Sequence, residues 1–574
     1  MKRIFKMLNP HRFVWLFIFL VIQAGSILLI PTIAADIIDN GVALGDIDYI
    51  KRYGGIMVLV AVIGFISALL NVYFSATESQ GVGSNLRETL FNKIMFFSNE
   101  EIDRYGTSTL MTRTTSDVLQ IQQFMMFVLR MAIIDPLRII FSAVLAYMRE
   151  PQLTFIFMII VPILVILIRL ILKKVSPLFR SLQVKTDRIN RIFREGLTGI
   201  RVIRAFSRED YEEGRFNEAN EDYKETSLAA HVYMASLMPL MILLASSTSI
   251  LIVYFGAQYI SVGEMEVGNL IAFTSYAMNI LMGIMMLSMI VTMLPRVQVS
   301  IERVFQIMDT KDEILDPKRP IEADVDADTV TLEFDQVNFR YPGAEKLALE
   351  NINFSMKQGE KVAVIGGTGA GKSTLSNLLL RLYDIESGSI RINGIDIRQY
   401  RQAELRHFLG FSPQKAVLFS GTIRDNLTYG KADATDEELW HALKIAQGFD
   451  FVSKLPGGLD ARVEQGGSNF SGGQRQRLSI ARALVTEANI LVFDDSFSAL
   501  DFKTDAELRK ALEPETTDKA VLIIAQRIST VVDADQILVL DHGNLVGQGT
   551  HEELKETNEV YKEIIESQMR GDEI

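Results

Sequence analysis

Uncharged apolar runs dominate the first half of the chain, and short apolar runs punctuated by glycine dominate the second. Phe13–Ala35, Gly54–Thr77, Pro151–Ile168, Thr226–Gly263 and Val267–Pro295 contain no Asp, Glu, Lys or Arg. A helix needs about 20 apolar residues to cross a bilayer core, so five such runs predict membrane spans rather than buried soluble helices. A sixth span is expected between Gln122 and Met148, interrupted by Arg130, Asp135 and Arg138. The fold class that follows is an all-α, six-helix transmembrane domain over residues 1–310, then a linker at 311–330 and an α/β phosphate-binding-loop domain at 331–574.

The segments between the runs are unequal. Gln80–Ile121 and Lys173–Ala230 are long, and apolar residues recur at helical spacing along them: Leu86, Leu90, Ile94, then Ile192, Leu197, Ile200, Ile203. That period predicts membrane helices that continue as long cytoplasmic extensions; separate amphipathic hairpins would show the same period. Basic residues set the orientation. Lys2, Arg3, Lys6 and Arg12 precede the first run, and Arg87, Lys93, Arg104 and Arg113 follow the second, whereas the alternate segments hold only Lys51, Arg52 and Arg149. Both termini are therefore expected in the cytoplasm of a cell-membrane protein. Charge inside a span is costly and faces a partner or a wet path. Arg130, Asp135 and Arg138 either pair with neighbours or line a substrate pathway, and both readings stand. Asp36 and Asp39 read as solvated.

Beyond Arg303 the chain turns polar. Thr331–Phe334 and Val337–Tyr341 read as strands. Lys361–Ile365 is another, followed by Gly366-Gly367-Thr368-Gly369-Ala370-Gly371-Lys372-Ser373-Thr374 and a helical stretch, Lys372–Leu382. Strand, glycine loop and helix in that order form a phosphate-binding loop. Its backbone N–H groups would turn around a β-phosphate, Lys372 would reach the β- and γ-oxygens, and Ser373 would offer a hydroxyl to Mg²⁺. Asp494 closes the apolar run Leu491–Phe493, which places a carboxylate at the end of a buried strand near that metal. Ser471-Gly472-Gly473-Gln474 opens a helical stretch, Arg475–Leu484, as a glycine-freed N-terminus suited to an anion.

Composition narrows the class further. Residues 1–309 hold 28 Lys+Arg against 26 Asp+Glu and the remainder 30 against 44, so the soluble part is acidic and no nucleic-acid partner is expected. The absence of cysteine excludes disulfides and thiolate metal sites.

These motifs, in this order, make the chain resemble the ATP-binding cassette exporters over essentially its entire length, as a half-transporter. Tyr341 resembles the family's adenine-stacking aromatic, Gln414 in Ser412-Pro413-Gln414 its glutamine loop, Ser471–Gln474 its signature and Asp501 in Ser498-Ala499-Leu500-Asp501 its D-loop; Phe470 stands where leucine is usual. Gly106, Leu110, Arg113 and Asp117 are similar to its first coupling region, and Glu195, Gly199, Ile200 and Phe206 to its second. The resemblance implies ATP and Mg²⁺ as ligands, with Ser373, Gln414 and Asp494 about the metal. It also implies a dimer in which each ATP lies between one chain's phosphate-binding loop and the other's signature.

Two positions depart from the family. Asp495 stands where it carries a catalytic glutamate, and Gln526 where it carries a histidine on the γ-phosphate. A carboxylate misplaced by about 1 Å can cost on the order of 100-fold in rate, and an amide carries neither proton nor charge. The expected protein binds ATP and hydrolyses it poorly at its own site. A homodimer would repeat both losses, so the pattern points to a heterodimer whose partner keeps the glutamate and histidine, as in heterodimeric bacterial multidrug exporters. Met278, Met282, Met285, Met286, Met289 and Met293 crowd the last apolar run and suit amphipathic substrates through adaptable packing. An ATP-gated channel or regulatory subunit, or an exporter of lipid or peptide, are the alternatives.

Overall fold

A computed structural model describes residues 1–322 and 330–572. It separates into two compact units, Met1–Met95 with Ser108–Thr310, and Phe96–Thr107 with Lys311–Ile574.

In the first unit, five helices are long and apolar enough to cross a membrane: Pro10–Val42, Ile47–Met95, Phe155–Thr198, Glu209–Ser261 and Val267–Met308. Their outward faces carry bare hydrocarbon, with Val58, Phe65 and Leu69 each more than half exposed, a pattern that water does not tolerate over a wide area. At 1.5 Å per residue the 53-residue Glu209–Ser261 helix is about 80 Å long, far beyond a hydrocarbon core of about 30 Å.

The sixth expected span is helical but broken. Val118–Phe127 passes through a π-helical turn, Val128–Ala132, before Ile133–Arg149 resumes. Pro136 explains the break: it has no N–H to return to the carbonyl of Ala132, so the ladder rearranges one turn earlier.

The polar residues of this unit hold helices to one another. Arg138 donates to Asp135 at 3.3 Å and to Asn279 on the last helix at 2.6 Å. Arg130 sits on the π turn, outside that pair. Asp36 and Asp39 are not merely solvated as their position suggested. Asp36 accepts from Arg149 at 2.7 Å, and Asp39 accepts from the backbone N–H of Gly268 at 2.6 Å, since acceptors at helix ends are more stable with charged or orphan donors than alone.

The second unit is built on strands β1 (Thr331–Phe339), β2 (Leu349–Lys357), β3 (Lys361–Gly366), β4 (Ser387–Ile392), β5 (Ile395–Asp396), β6 (Leu409–Ser412), β7 (Gly421–Thr422), β8 (Arg462–Val463), β9 (Ile490–Asp494), β10 (Ala520–Ile524), β11 (Gln536–Asp541) and β12 (Asn544–Gly549). Ten of them form one sheet in the order β5-β4-β1-β2-β12-β11-β3-β10-β9-β6; β7 and β8 pair separately. The two short strands read in the sequence are one, β1, with a register shift after Phe334 where Gln336 adopts φ +49°. That extra residue resets the alternation, which is why the pattern looked like two strands.

Strands β11, β3, β10, β9 and β6 run parallel, and their side chains alternate between two cores. Ile365, Phe493, Ile523 and Val539 face helices that include Gly472–Val485 and Glu559–Asp572, whereas Val364, Val492, Leu522 and Leu538 face the helix Lys372–Leu379 and strands β1, β2 and β4. Burial on both faces accounts for the unbroken apolar runs.

Phe96–Thr107 belongs to this unit although it lies within 1–310. Its helix Asn99–Tyr105 is capped reciprocally by Ser98 and Glu101. Asp103 accepts from the Tyr383 hydroxyl at 2.8 Å, and Glu101 accepts from the Glu313 N–H at 2.8 Å. The start of the expected linker also packs here, with Asp316 accepting from the N–H of Gln402 at 3.0 Å; residues 323–329 lie outside the described residues.

Candidate nucleotide site

Parallel strands deliver their carboxyl ends to one edge of a sheet, where connecting loops make a ligand crevice. Here that edge collects the glycine loop after β3, Gln414 after β6, Asp494 and Asp495 at the end of β9, and Gln526 after β10. Two glycines show what the loop demands. A Cβ on Gly366 would lie 2.1 Å from the Leu540 carbonyl oxygen, and Gly371 holds φ +98° with the Ala348 oxygen 2.8 Å from its would-be Cβ. Neither place admits a side chain.

Lys372 folds back into this loop, its Nζ donating to the carbonyls of Gly366 at 2.9 Å and Gly367 at 2.8 Å. Burial lowers its pKa, and the carboxylates of Asp495 and Asp494 draw it partly back. Asp494 accepts from Ser373 Oγ at 2.9 Å and Ser376 Oγ at 3.1 Å. Burial pushes its carboxyl above the ordinary range despite those hydroxyls.

The two altered positions touch. Asp495 adopts φ +48°, a left-handed conformation that Asp tolerates better than most residues. Its Oδ2 accepts from Gln526 Nε2 at 2.9 Å and from Gln414 Nε2 at 3.1 Å. Sequence reading treated the two departures as separate losses, whereas the fold makes them one hydrogen-bonded group.

A cavity of about 720 Å³ opens over these residues. Thr368, Gly369, Gly371, Lys372, Ser373, Thr374, Gln414, Asp494, Asp495 and Gln526 line it, and Tyr341 closes one side with its hydroxyl 3.0 Å from Thr374 Oγ1. Gly366, Gly367 and Ala370 belong to the same loop but do not line the cavity. Lys346, Leu347, Ala348, His542 and Gly543 also line the cavity and were missed in the sequence. They come from two turns, and only the strain at His542 and Gly543 (φ +45° and +84°) marks the second as special.

Ser471–Gln474 stand apart from this cavity's lining. Ser471 caps the helix Gly472–Val485: its Oγ accepts from the Gln474 N–H at 3.3 Å while Gln474 Oε1 accepts from the Ser471 N–H at 2.9 Å. Phe470 is buried against the Phe451 ring, which accounts for an aromatic where leucine was expected. Asp501 caps Phe502–Leu512, accepting from the Thr504 N–H at 3.0 Å and hydroxyl at 2.8 Å, contacts that hold its carboxyl below the usual range.

Comparison with known proteins agrees with this geometry. Residues 13–285 match the model of the ABC transporter transmembrane region, and 349–498 that of the ABC transporter. The chain is 40% identical over 544 residues to an uncharacterized ABC transporter ATP-binding protein of Mycobacterium tuberculosis, covering 94% of this chain and 93% of the relative. This chain belongs to the ABC transporters. An ATP-dependent lipid A-core flippase of Pseudomonas fluorescens is 31% identical over 91% of the chain and 86% of its own length. Among solved structures, a bacterial Atm1-family ABC exporter with ATP bound superposes with a TM-score of 0.80 at 26% identity, over 97% of this chain and 98% of that one.

The transporter's family implies an ATP-hydrolysing exporter that takes ATP and Mg²⁺, and the residues fit both. The cavity has the volume of a small-ligand site, with a glycine-cleared loop and a buried lysine at its base. A serine hydroxyl and a buried carboxylate 2.9 Å apart, with an amide nearby, are the oxygen donors that Mg²⁺ takes.

Proposed function

We propose that this transporter is one half of a heterodimeric, ATP-driven exporter of amphipathic compounds, and that its own nucleotide site is the slow one. The observation that carries this is the shared bond at Asp495. One carboxylate oxygen receives two amide protons, from Gln526 and Gln414; Asp495 is one methylene short of the family's glutamate and is held in place by neighbours that cannot relay a proton, so the hydrolysis left to it is slow and depends on that placement.

The remaining residues grip the nucleotide. Lys372 exchanges its two loop carbonyls for phosphate oxygens, the loop N–H groups orient the chain of phosphates, and Tyr341 offers its ring to the base. Ser373 and Asp494, with Gln414, would hold Mg²⁺, which neutralises charge on the β- and γ-oxygens when bound. Because Ser471–Gln474 lie off this cavity, they are free to complete a site on a second chain. A partner with glutamate and histidine at the equivalent positions would then host the fast hydrolysis that resets the cycle.

For the membrane part, the reading is six spans with both termini cytoplasmic, the broken Val118–Arg149 segment counting as the third, and long helices extending into the cytoplasm. Arg138 bridges Asp135 to Asn279 on the helix that carries the methionine cluster, which supports a polar point on an otherwise adaptable, apolar substrate path. A lipid substrate is the second reading, favoured by relatives named lipid A-core flippases.

The deciding experiment compares the purified chain with the chain co-expressed beside its partner, in proteoliposomes. Alone it should bind ATP·Mg²⁺ and hydrolyse it well below about 10 per second, the usual enzyme median. With the partner, turnover should rise and respond to substrate. Vigorous turnover by the chain alone would refute the assignment, and passive flux gated by ATP binding would make it a channel.

A further inference from the structure

The segment that carries Gln526 leaves the sheet at Ala525, whose N–H donates to the Val364 carbonyl at 3.0 Å. The four-residue helix Ile528–Val531 starts three residues later. Its N-cap is Arg527, which provides no side-chain acceptor for the first turn, so the N–H of Ile528 needs a partner from elsewhere. Gln568 supplies it. From the C-terminal helix Glu559–Asp572, its Oε1 accepts from the Ile528 N–H at 2.9 Å while its Nε2 donates to the Gln526 carbonyl at 2.8 Å. One carboxamide thus satisfies a donor and an acceptor on either side of Arg527, much as a neighbouring strand would. A primary amide alone among side chains has both groups in this arrangement; asparagine is a methylene shorter.

This clamp sits one residue behind the nucleotide cavity. The backbone that Gln568 holds carries the side chain that meets Asp495 Oδ2 at 2.9 Å. The helix itself is anchored independently. Tyr561 is fully buried, and Val560, Ile564 and Ile565 pack on the same core. Gln568 is therefore dispensable for docking the helix.

We propose that Gln568 is a positioning residue for the nucleotide site, fixing the Gln526 carboxamide opposite Asp495 from a helix that never reaches the cavity. The inference rests on the cavity taking ATP·Mg²⁺. Released from the clamp, Gln526 can drift by about 1 Å, a displacement able to cost on the order of 100-fold in rate.

The test uses the full-length chain in lipid nanodiscs, with ATP·Mg²⁺ as the probe. ATP affinity and single-turnover phosphate release are measured for the parent, Gln568→Ala, Gln526→Ala and the double variant. Gln568→Ala should slow turnover at least about tenfold, with ATP affinity within about twofold of the parent. The double variant should be no slower than Gln526→Ala, because Gln568 acts only through that residue. Gln568→Met guards against loss of fold: it keeps the length of an unbranched side chain and removes both hydrogen bonds without adding charge. It should be as slow as the alanine variant at an unchanged melting temperature. Parent-like turnover in Gln568→Ala, or losses that multiply in the double variant, would overturn the inference alone. ATP binding that survives Lys372→Ala would overturn the reading of the cavity, and the inference with it.

Discussion

Restoring the family's two catalytic groups should work only as a pair. Asp495→Glu extends the carboxylate by about 1.5 Å, one carbon–carbon bond. From 2.9 and 3.1 Å, that displacement carries it out of hydrogen-bond range of at least one of the two amides. A hydrogen bond to a charged acceptor is worth about 1.5–3 kcal/mol, and about 1.4 kcal/mol is a factor of ten in rate. Glutamate must also occupy the left-handed backbone at φ +48°, which a longer side chain adopts less readily than aspartate. The single change thus gains reach and loses its holder. Gln526→His alone likewise exchanges the amide donor to Asp495 for a ring N–H of different reach and leaves the carboxylate a methylene short. Each single variant of the isolated chain should gain less than about tenfold in steady-state ATPase, by the same hydrogen-bond balance. The double variant should exceed the product of the single gains by about tenfold or more, the rate equivalent of one charged hydrogen bond. The assay is phosphate release by full-length protein in proteoliposomes at saturating ATP. Gains that simply multiply, or full recovery from Asp495→Glu alone, would show that the two positions do not act as a unit.

In the assembled heterodimer, Ser471→Ala should collapse turnover because it removes a phosphate contact at the partner's fast site, Lys372→Ala should reduce it partially, and Asp495→Asn least of all; steady-state ATPase of the three checks the order. Asp494→Asn should raise the melting temperature of nucleotide-free protein near pH 7–8. Its folded carboxyl is pushed above the ordinary value by burial, so the contribution present at low pH is lost as pH rises through the folded value. The stabilisation by the amide should therefore shrink toward pH 4, and stabilisation by ATP·Mg²⁺ should disappear; thermal unfolding across pH reads both. A tag at the C-terminus should be labelled only in opened cells, and labelling of intact ones would contradict the proposed topology.

The sequence alone determined the two-part organisation, since apolar runs of bilayer length and a strand–glycine loop–helix order are local properties of the chain. Lys372, Ser373 and Asp494 were legible for the same reason: each sits at a fixed spacing from the element that presents it. The π turn before Pro136 was not, because a proline within an apolar run does not reveal how the preceding turn will rearrange. Nor was the merging of two short strands at Gln336, where one left-handed residue inverts the pattern. What only the tertiary structure decided are the meetings between distant segments. Asp495 lies 31 residues from Gln526 and 81 from Gln414, and parallel pairing of β6, β9 and β10 brings all three to one sheet edge. The turns at Lys346 and His542 reach the cavity by the same folding of β2, β3, β11 and β12. Gln568 meets the Gln526 backbone across 42 residues, through a helix whose apolar face announced packing but whose one useful carboxamide looked like any exposed glutamine. Spacing encodes what a segment presents; the long-range register of strands and helices fixes what it is presented to.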